Sequence, residues 1–132
     1  MTKIYVTQFD YDRLIKLLDD KKPHDDFDKA LLYELKRCEI VDQKSIPGDV
    51  ITMNSHVLFT DESGEDLDYW LVFPEDAELP NNKISILSPV GCALLGYKVG
   101  ETVTLHTPNK GRRNLVVKDV LSQPEREGKF TI

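Results

Sequence analysis

The chain has 132 residues, 40% of them hydrophobic and 30% charged, with a formal net charge of -6 and two cysteines. That length suits one ordinary domain, or a small domain with an appendage, and excludes a large multidomain enzyme. The acidic balance argues against a sequence-independent duplex-binding protein, whose affinity comes from lysine and arginine neutralising phosphates.

Residues 7–20 place Tyr11, Leu14, Ile15 and Leu18 at i, i+3, i+4 and i+7, which predicts an amphipathic helix. Thr7 is its expected cap, with Asp10 completing a capping box and Val6 and Tyr11 at the staple positions. A second stripe through Phe27, Leu31, Leu35 and Cys38, widened by Leu32 and Ile40, predicts another helix after a gap of about four to six residues. Such a short gap favours an antiparallel hairpin. Pro47 and Gly48 read as a helix stop and a linker. Beyond Val50 the period changes to two: HVLFTDESGEDLDYWLVF and TVTLHTPNKGRRNLVVKDV predict strand pairs, and KISIL a further short strand. In SPVGCALLG, Ser88 suits a cap, Pro89 the first helical position and Gly96 the end of a helix of about two turns. The expected fold is α+β: a helical hairpin over 1–45, then an antiparallel sheet domain with one short helix over 46–132.

Cys38 and Cys92 lack the spacing of a zinc site and the number of a disulfide framework. Polar residues interrupt every apolar run near the start, so neither a signal peptide nor a membrane span is expected, and the cytoplasm is the expected location. Nucleophile-elbow, phosphate-loop and zinc-protease patterns are absent, and no cofactor is implied.

The stretch KISILSPVGCALLGYKVGETVTLHTP resembles the C-terminal domain of the Gre transcript-cleavage factors, and VITMNSHVLFTD and DYWLVFPEDAE extend the resemblance over about residues 50 to 121. Across the full chain, Pro47, Asp49, Val50, Thr52, Met53, Asn54 and Ser55, with the tail Gln123 to Glu125, resemble the Rnk branch of that family. The resemblance implies an FKBP-like sheet domain, RNA polymerase as partner, and Ser88, Pro89 and Val90 as a docking edge near the polymerase's secondary channel. It also implies that carboxylates at the end of the helical hairpin bear on function, since Gre factors place theirs beside the polymerase's catalytic Mg2+. Two readings of DDKKPHDDFD therefore stand. Asp25 or Asp26 can cap the second helix with Asp28 in its first turn, or the tip, through Asp19, Asp20, Asp25 and Asp26, can contact a partner. Asp19 and Asp20 do not fit the capping reading, because negative charge at a helix C-terminus is unfavourable. No metal site is expected here, and His24 reads as a solvated loop residue.

Between Asp61 and Glu78 lie eight acids and no lysine or arginine, which suits either a solvated hairpin with a charged strand edge or steering toward a basic partner. Lys110, Arg112 and Arg113 suggest a solubilising loop, and Trp70 is expected in the sheet core. At ~16–20 Å, the first helix is too short to carry a carboxylate to the polymerase active site. The expected function is a non-catalytic polymerase-binding regulator that competes with Gre factors. Its rivals are a cleavage-stimulating factor and a prolyl isomerase or chaperone-like module.

Overall fold

The computed structural model describes residues 3–107, 111–130 and 132. Strand β1 (Tyr5–Thr7) runs directly into helix α1 (Gln8–Asp20), with the Thr7 hydroxyl accepting the Asp10 N–H at 3.0 Å as the cap predicted. Leu14 and Leu18 of the predicted stripe are buried. Residues 21–25 connect α1 to helix α2 (Asp26–Arg37), which buries Leu31 and Leu35. Its capping box is complete: the Asp25 carboxylate accepts from the Asp28 N–H and the Asp28 carboxylate from the Asp25 N–H. Helix α2 ends before the stripe does. Glu39–Val41 instead form strand β2, parallel to β1 with Val6 opposite Ile40, and the Glu39 N–H donates to the Ile4 carbonyl at 2.9 Å. The adjacent Ile40 and Val41 are β-branched, so a waiting strand partner outweighs one more helical turn.

The main sheet contains β3 (His56–Thr60), β4 (Asp66–Val72), β5 (Lys83–Ser85), β6 (Thr102–Thr107) and β7 (Gly111–Ser122), in the order β5-β4-β3-β7-β6. It is mixed rather than wholly antiparallel, because β5 pairs parallel to β4. Two 3-10 turns, Pro74–Asp76 and Leu79–Asn81, carry the chain back before β5 starts, so the two strands run the same way. One short helix, α3 (Gly91–Leu94), follows β5.

Val57, Phe59, Leu71, Val103, Leu105, Leu115 and Val117 point inward and form one continuous cluster with Leu94, Leu95 and the helical Leu14, Leu18, Leu31 and Leu35. At about 1.5–3 kcal/mol for each fully buried aliphatic side chain, these contacts supply most of the force holding the helices to the sheet. Trp70 is not in this core. It lies opposite His56 on the outward parity of the sheet, where the two rings stack 4.3 Å apart at 10°, while neighbouring Leu71 takes the inward position.

Candidate functional site

Ser88, Pro89 and Val90 form a turn between β5 and α3. The Ser88 hydroxyl donates to the Ser85 carbonyl at 2.7 Å and accepts the Gly91 N–H at 3.0 Å, while the Ser88 carbonyl accepts the Cys92 N–H at 3.0 Å. Ser88 thus caps, as its position predicts, but the helix is four residues long and begins after Pro89. The turn closes because Gly91 lacks a side chain: a Cβ there would lie 2.0 Å from the Ser85 carbonyl oxygen. Pro89 is exposed and its neighbours half-buried, giving a rigid edge that loses little ordering entropy on contact.

This edge separates two apolar hollows. One, about 400 Å3, lies between α2 and α3 and is lined by Phe27, Ala30, Tyr33, Pro89, Cys92 and Ala93. Burial pushes the Cys92 thiol up to about 11, with Asp25 and Asp28 adding to the effect, so it stays protonated and is no nucleophile at neutral pH. The other, about 430 Å3, opens on the Val90 side toward Tyr69 and Leu79.

At the far end of the helices, Asp19, Asp20, Asp25 and Asp26 are exposed. Buried Asp28 is held by Lys21, whose ammonium also lies 3.5 Å from Asp25. The hydrogen bond from the Asp28 N–H and the nearby Lys21 charge hold the Asp25 carboxyl below its ordinary value. His24 is not a free loop residue: its Nε2 lies 2.7 Å from the Leu18 carbonyl, within the last turn of α1. Asp19 and Asp20 end α1 with no basic residue in that turn. Among the described residues, no three His, Cys, Asp or Glu side chains are grouped to hold a metal ion.

The joint between helices and sheet is where sequence reasoning fell short. The Asp10 carboxylate does not turn back to close a capping box. It accepts the Met53 N–H at 3.1 Å and receives Arg13 at 2.6 Å, because Met53 is fully buried just before β3 and its N–H needs an acceptor. Desolvation raises the Asp10 pKa against the lowering pull of Arg13 and Met53. Nearby, Thr52 Oγ1 donates to Glu125 at 2.7 Å and lies 2.9 Å from Ser55 Oγ. Gln123 Nε2 donates to the Pro47 and Val50 carbonyls at 2.9 and 2.8 Å, and Arg126 reaches the Gly48 carbonyl at 3.2 Å. Pro47 and Gly48 are thus clasped rather than a free linker, and the Pro47–Ser55 and Gln123–Glu125 stretches meet in one polar knot.

Most upstream acids are engaged within the chain. Asp61 accepts from the Ser63 and Glu65 N–H groups and lies 3.8 Å from Arg113, Asp66 pairs with Lys118 at 3.2 Å, and Asp68 meets His56 at 2.7 Å. Pro108 and Lys110 of the basic loop lie outside the described residues.

The family model described as transcription elongation factor, GreA/GreB, C-term matches residues 46–122, so the chain belongs to the GreA/GreB family. Its N-terminal part matches the model of the Rnk N-terminus over residues 2–41. The regulator of nucleoside diphosphate kinase from Escherichia coli K12 is 36% identical over 104 residues, covering 78% of this chain and 76% of that protein. Transcription elongation factor GreA from Syntrophus aciditrophicus is 37% identical over 86 residues, and this chain spans only 53% of its length. Among solved structures, a GreA/GreB elongation factor from Nitrosomonas europaea superposes with a TM-score of 0.78 at 37% identity, covering 92% of this chain and all of that one.

Proposed function

We propose that the protein is a non-catalytic transcription regulator that binds RNA polymerase near its secondary channel and excludes Gre-type cleavage factors by competition. The reading takes 1–45 as an antiparallel helical arm and 46–132 as an FKBP-like docking module, working in the cytoplasm. Ser88, Pro89 and Val90 are its docking edge, and Asp19, Asp20, Asp25 and Asp26 its tip contacts.

The observation that carries it is the pairing of a GreA/GreB-family sheet domain with helices of only 13 and 12 residues. At 1.5 Å per residue the longer one spans ~20 Å. Gre-type chemistry needs carboxylates beside the reacting phosphate, because Mg2+ is hard and is held by one or two carboxylates plus phosphate oxygens. The arm is too short for that role, and its buried carboxylate, Asp28, is already paired with Lys21.

Pull-down with purified core polymerase tests the docking. Wild type binds, displaces a GreA factor and leaves transcripts in stalled complexes intact, while Pro89→Asn binds poorly. Normal binding by Pro89→Asn removes the docking assignment. One observation favours a second reading, stimulation of cleavage: Asp19 and Asp20 sit exposed against the α1 dipole with no basic neighbour in that turn. It predicts transcript shortening that is lost in Asp19→Asn with Asp20→Asn.

A further inference from the structure

The segment that follows β7 is tied to the rest of the molecule at both ends. Gln123 holds the Pro47 and Val50 carbonyls, and further on Gln43 Nε2 donates to the Phe130 carbonyl at 2.8 Å and Arg13 to that of Ile132 at 3.1 Å. Between these ties the chain makes a close turn. The Arg126 N–H donates to the Gln123 side chain at 3.1 Å, the Gly128 N–H to the Glu125 carbonyl at 3.2 Å and the Lys129 N–H to the Pro124 carbonyl at 2.8 Å. The turn is pinned to the loop before β3 through Glu125, which is buried against Thr52.

That pin is a carboxyl group with no cation of its own. Its one side-chain partner among the described residues is the Thr52 hydroxyl, which in turn lies 2.9 Å from Ser55 Oγ. The charged groups that face it, Asp10 and Arg13, both come from α1. Within its own segment, Arg126 is turned to the Gly48 and Val120 carbonyls and Glu127 accepts from the Ser122 hydroxyl. Arg13 is committed to Asp10 at 2.6 Å, and Asp10 also accepts the Met53 N–H, so Asp10 has the donors that keep a buried carboxylate charged. Glu125 has one neutral donor. Burial pushes its pKa up, the Thr52 hydroxyl opposes the rise, and the Asp10 charge adds to it. A protonated Glu125 fits the same place, because Thr52 Oγ1 can accept its proton and turn its own toward Ser55 Oγ.

We infer that Glu125 is a proton-operated latch: while it carries a proton it stays docked on Thr52 and holds the segment after β7 to the body, and once it gives that proton to water it leaves the site and the segment loosens. The direction follows from linkage. A carboxyl that is harder to ionise in its docked position contributes stability at low pH and loses it as pH rises through the docked value. The hydrophobic core contains no residue of this segment, so release frees Gln43 and Arg13 from Phe130 and Ile132 without unpacking the helices. The device belongs to the chain itself and is independent of the docking reading.

The test is backbone amide exchange of the full chain from about pH 5 to about pH 8, followed by NMR and corrected for intrinsic rates, on wild type, Glu125→Gln and Asp10→Asn. In wild type, protection at Arg126, Gly128 and Lys129 is expected to fall at least ~10-fold across that range, while the Val117 N–H, bonded within the sheet region to the Glu101 carbonyl, holds its protection. Glu125→Gln cannot ionise and is expected to keep its low-pH protection throughout. Asp10→Asn is expected to blunt the fall, because Arg13 is then free to hold the ionised Glu125 in place. Carbon-13 titration of the Glu125 carboxyl in wild type, which needs no variant to fold, is expected to place its midpoint above the ordinary glutamate value of 4.5 and within the range where protection falls. A midpoint at or below 4.5 overturns the latch, and so does a fall of equal size in Glu125→Gln. Flat protection in wild type overturns it as well, and a fall shared by Val117 refutes it by showing global unfolding in place of local release.

Discussion

Replacing Asp10 with alanine removes the acceptor of the buried Met53 N–H and one partner of Arg13 in a single step. A buried donor left without an acceptor costs about 1–3 kcal/mol. Arg13 loses less, because its guanidinium still reaches the Ile132 carbonyl at 3.1 Å and stacks over Phe9 and Phe73 at 3.9 and 4.6 Å. Lost negative charge in the first turn of α1 adds about 0.3–1 kcal/mol, and relief of the buried carboxylate's desolvation returns part of the total. The net expectation is ~2–3 kcal/mol. With an unfolding entropy of ~2.1 cal/mol/K per residue, a chain of 132 residues loses ~4 °C of Tm per kcal/mol, so the variant should melt ~7–11 °C lower by calorimetry. Asp10→Asn keeps an acceptor for Met53 and should lose about a third as much. An alanine variant melting within ~2 °C of wild type, or an asparagine variant as unstable as alanine, refutes the role given to this bond.

Glu125 has its pKa raised by burial, only partly countered by the Thr52 hydroxyl. A raised carboxyl contributes stability that is fully present below its unfolded value and is lost as pH rises through the folded one. Glu125→Gln should therefore melt above wild type near pH 8 and converge with it near pH 4, as read by melting curves across that range. Gly91→Ala drives a Cβ into the Ser85 carbonyl, so we expect a loss above ~2 kcal/mol, amide shift changes centred on residues 85–92, and weakened polymerase binding. Asp25→Ala removes the α2 cap and should cost about 1 kcal/mol, whereas Asp26→Ala should be nearly neutral; equal melting points would reject the cap assignment.

Much of this architecture was legible because local chemistry and tertiary packing agree along most of the chain. The leucine stripes, Thr7 and Asp25 caps and period-two strands each point to the element that forms. Two of the misses share one cause, competition from a distant partner. Ile40 continues the helical stripe but finds Val6 across a two-stranded ladder, and Asp10 fits a capping box yet serves Met53 from 43 residues away. Trp70 is large and apolar, but strand parity set by Leu71 turns it outward. At the turn after β5, the Ser-Pro-x-Gly spacing identified the Ser88 cap.

The common interior of helices and sheet limits how the molecule can move. Pivoting the short arm would uncover Leu14, Leu18, Leu31 and Leu35 together with Leu94 and Phe59, and would tear the bond from the Met53 N–H to Asp10 besides. On the proposed reading, such a body seated in a channel mouth would act as a stopper and not as a lever, blocking by bulk only while it stays.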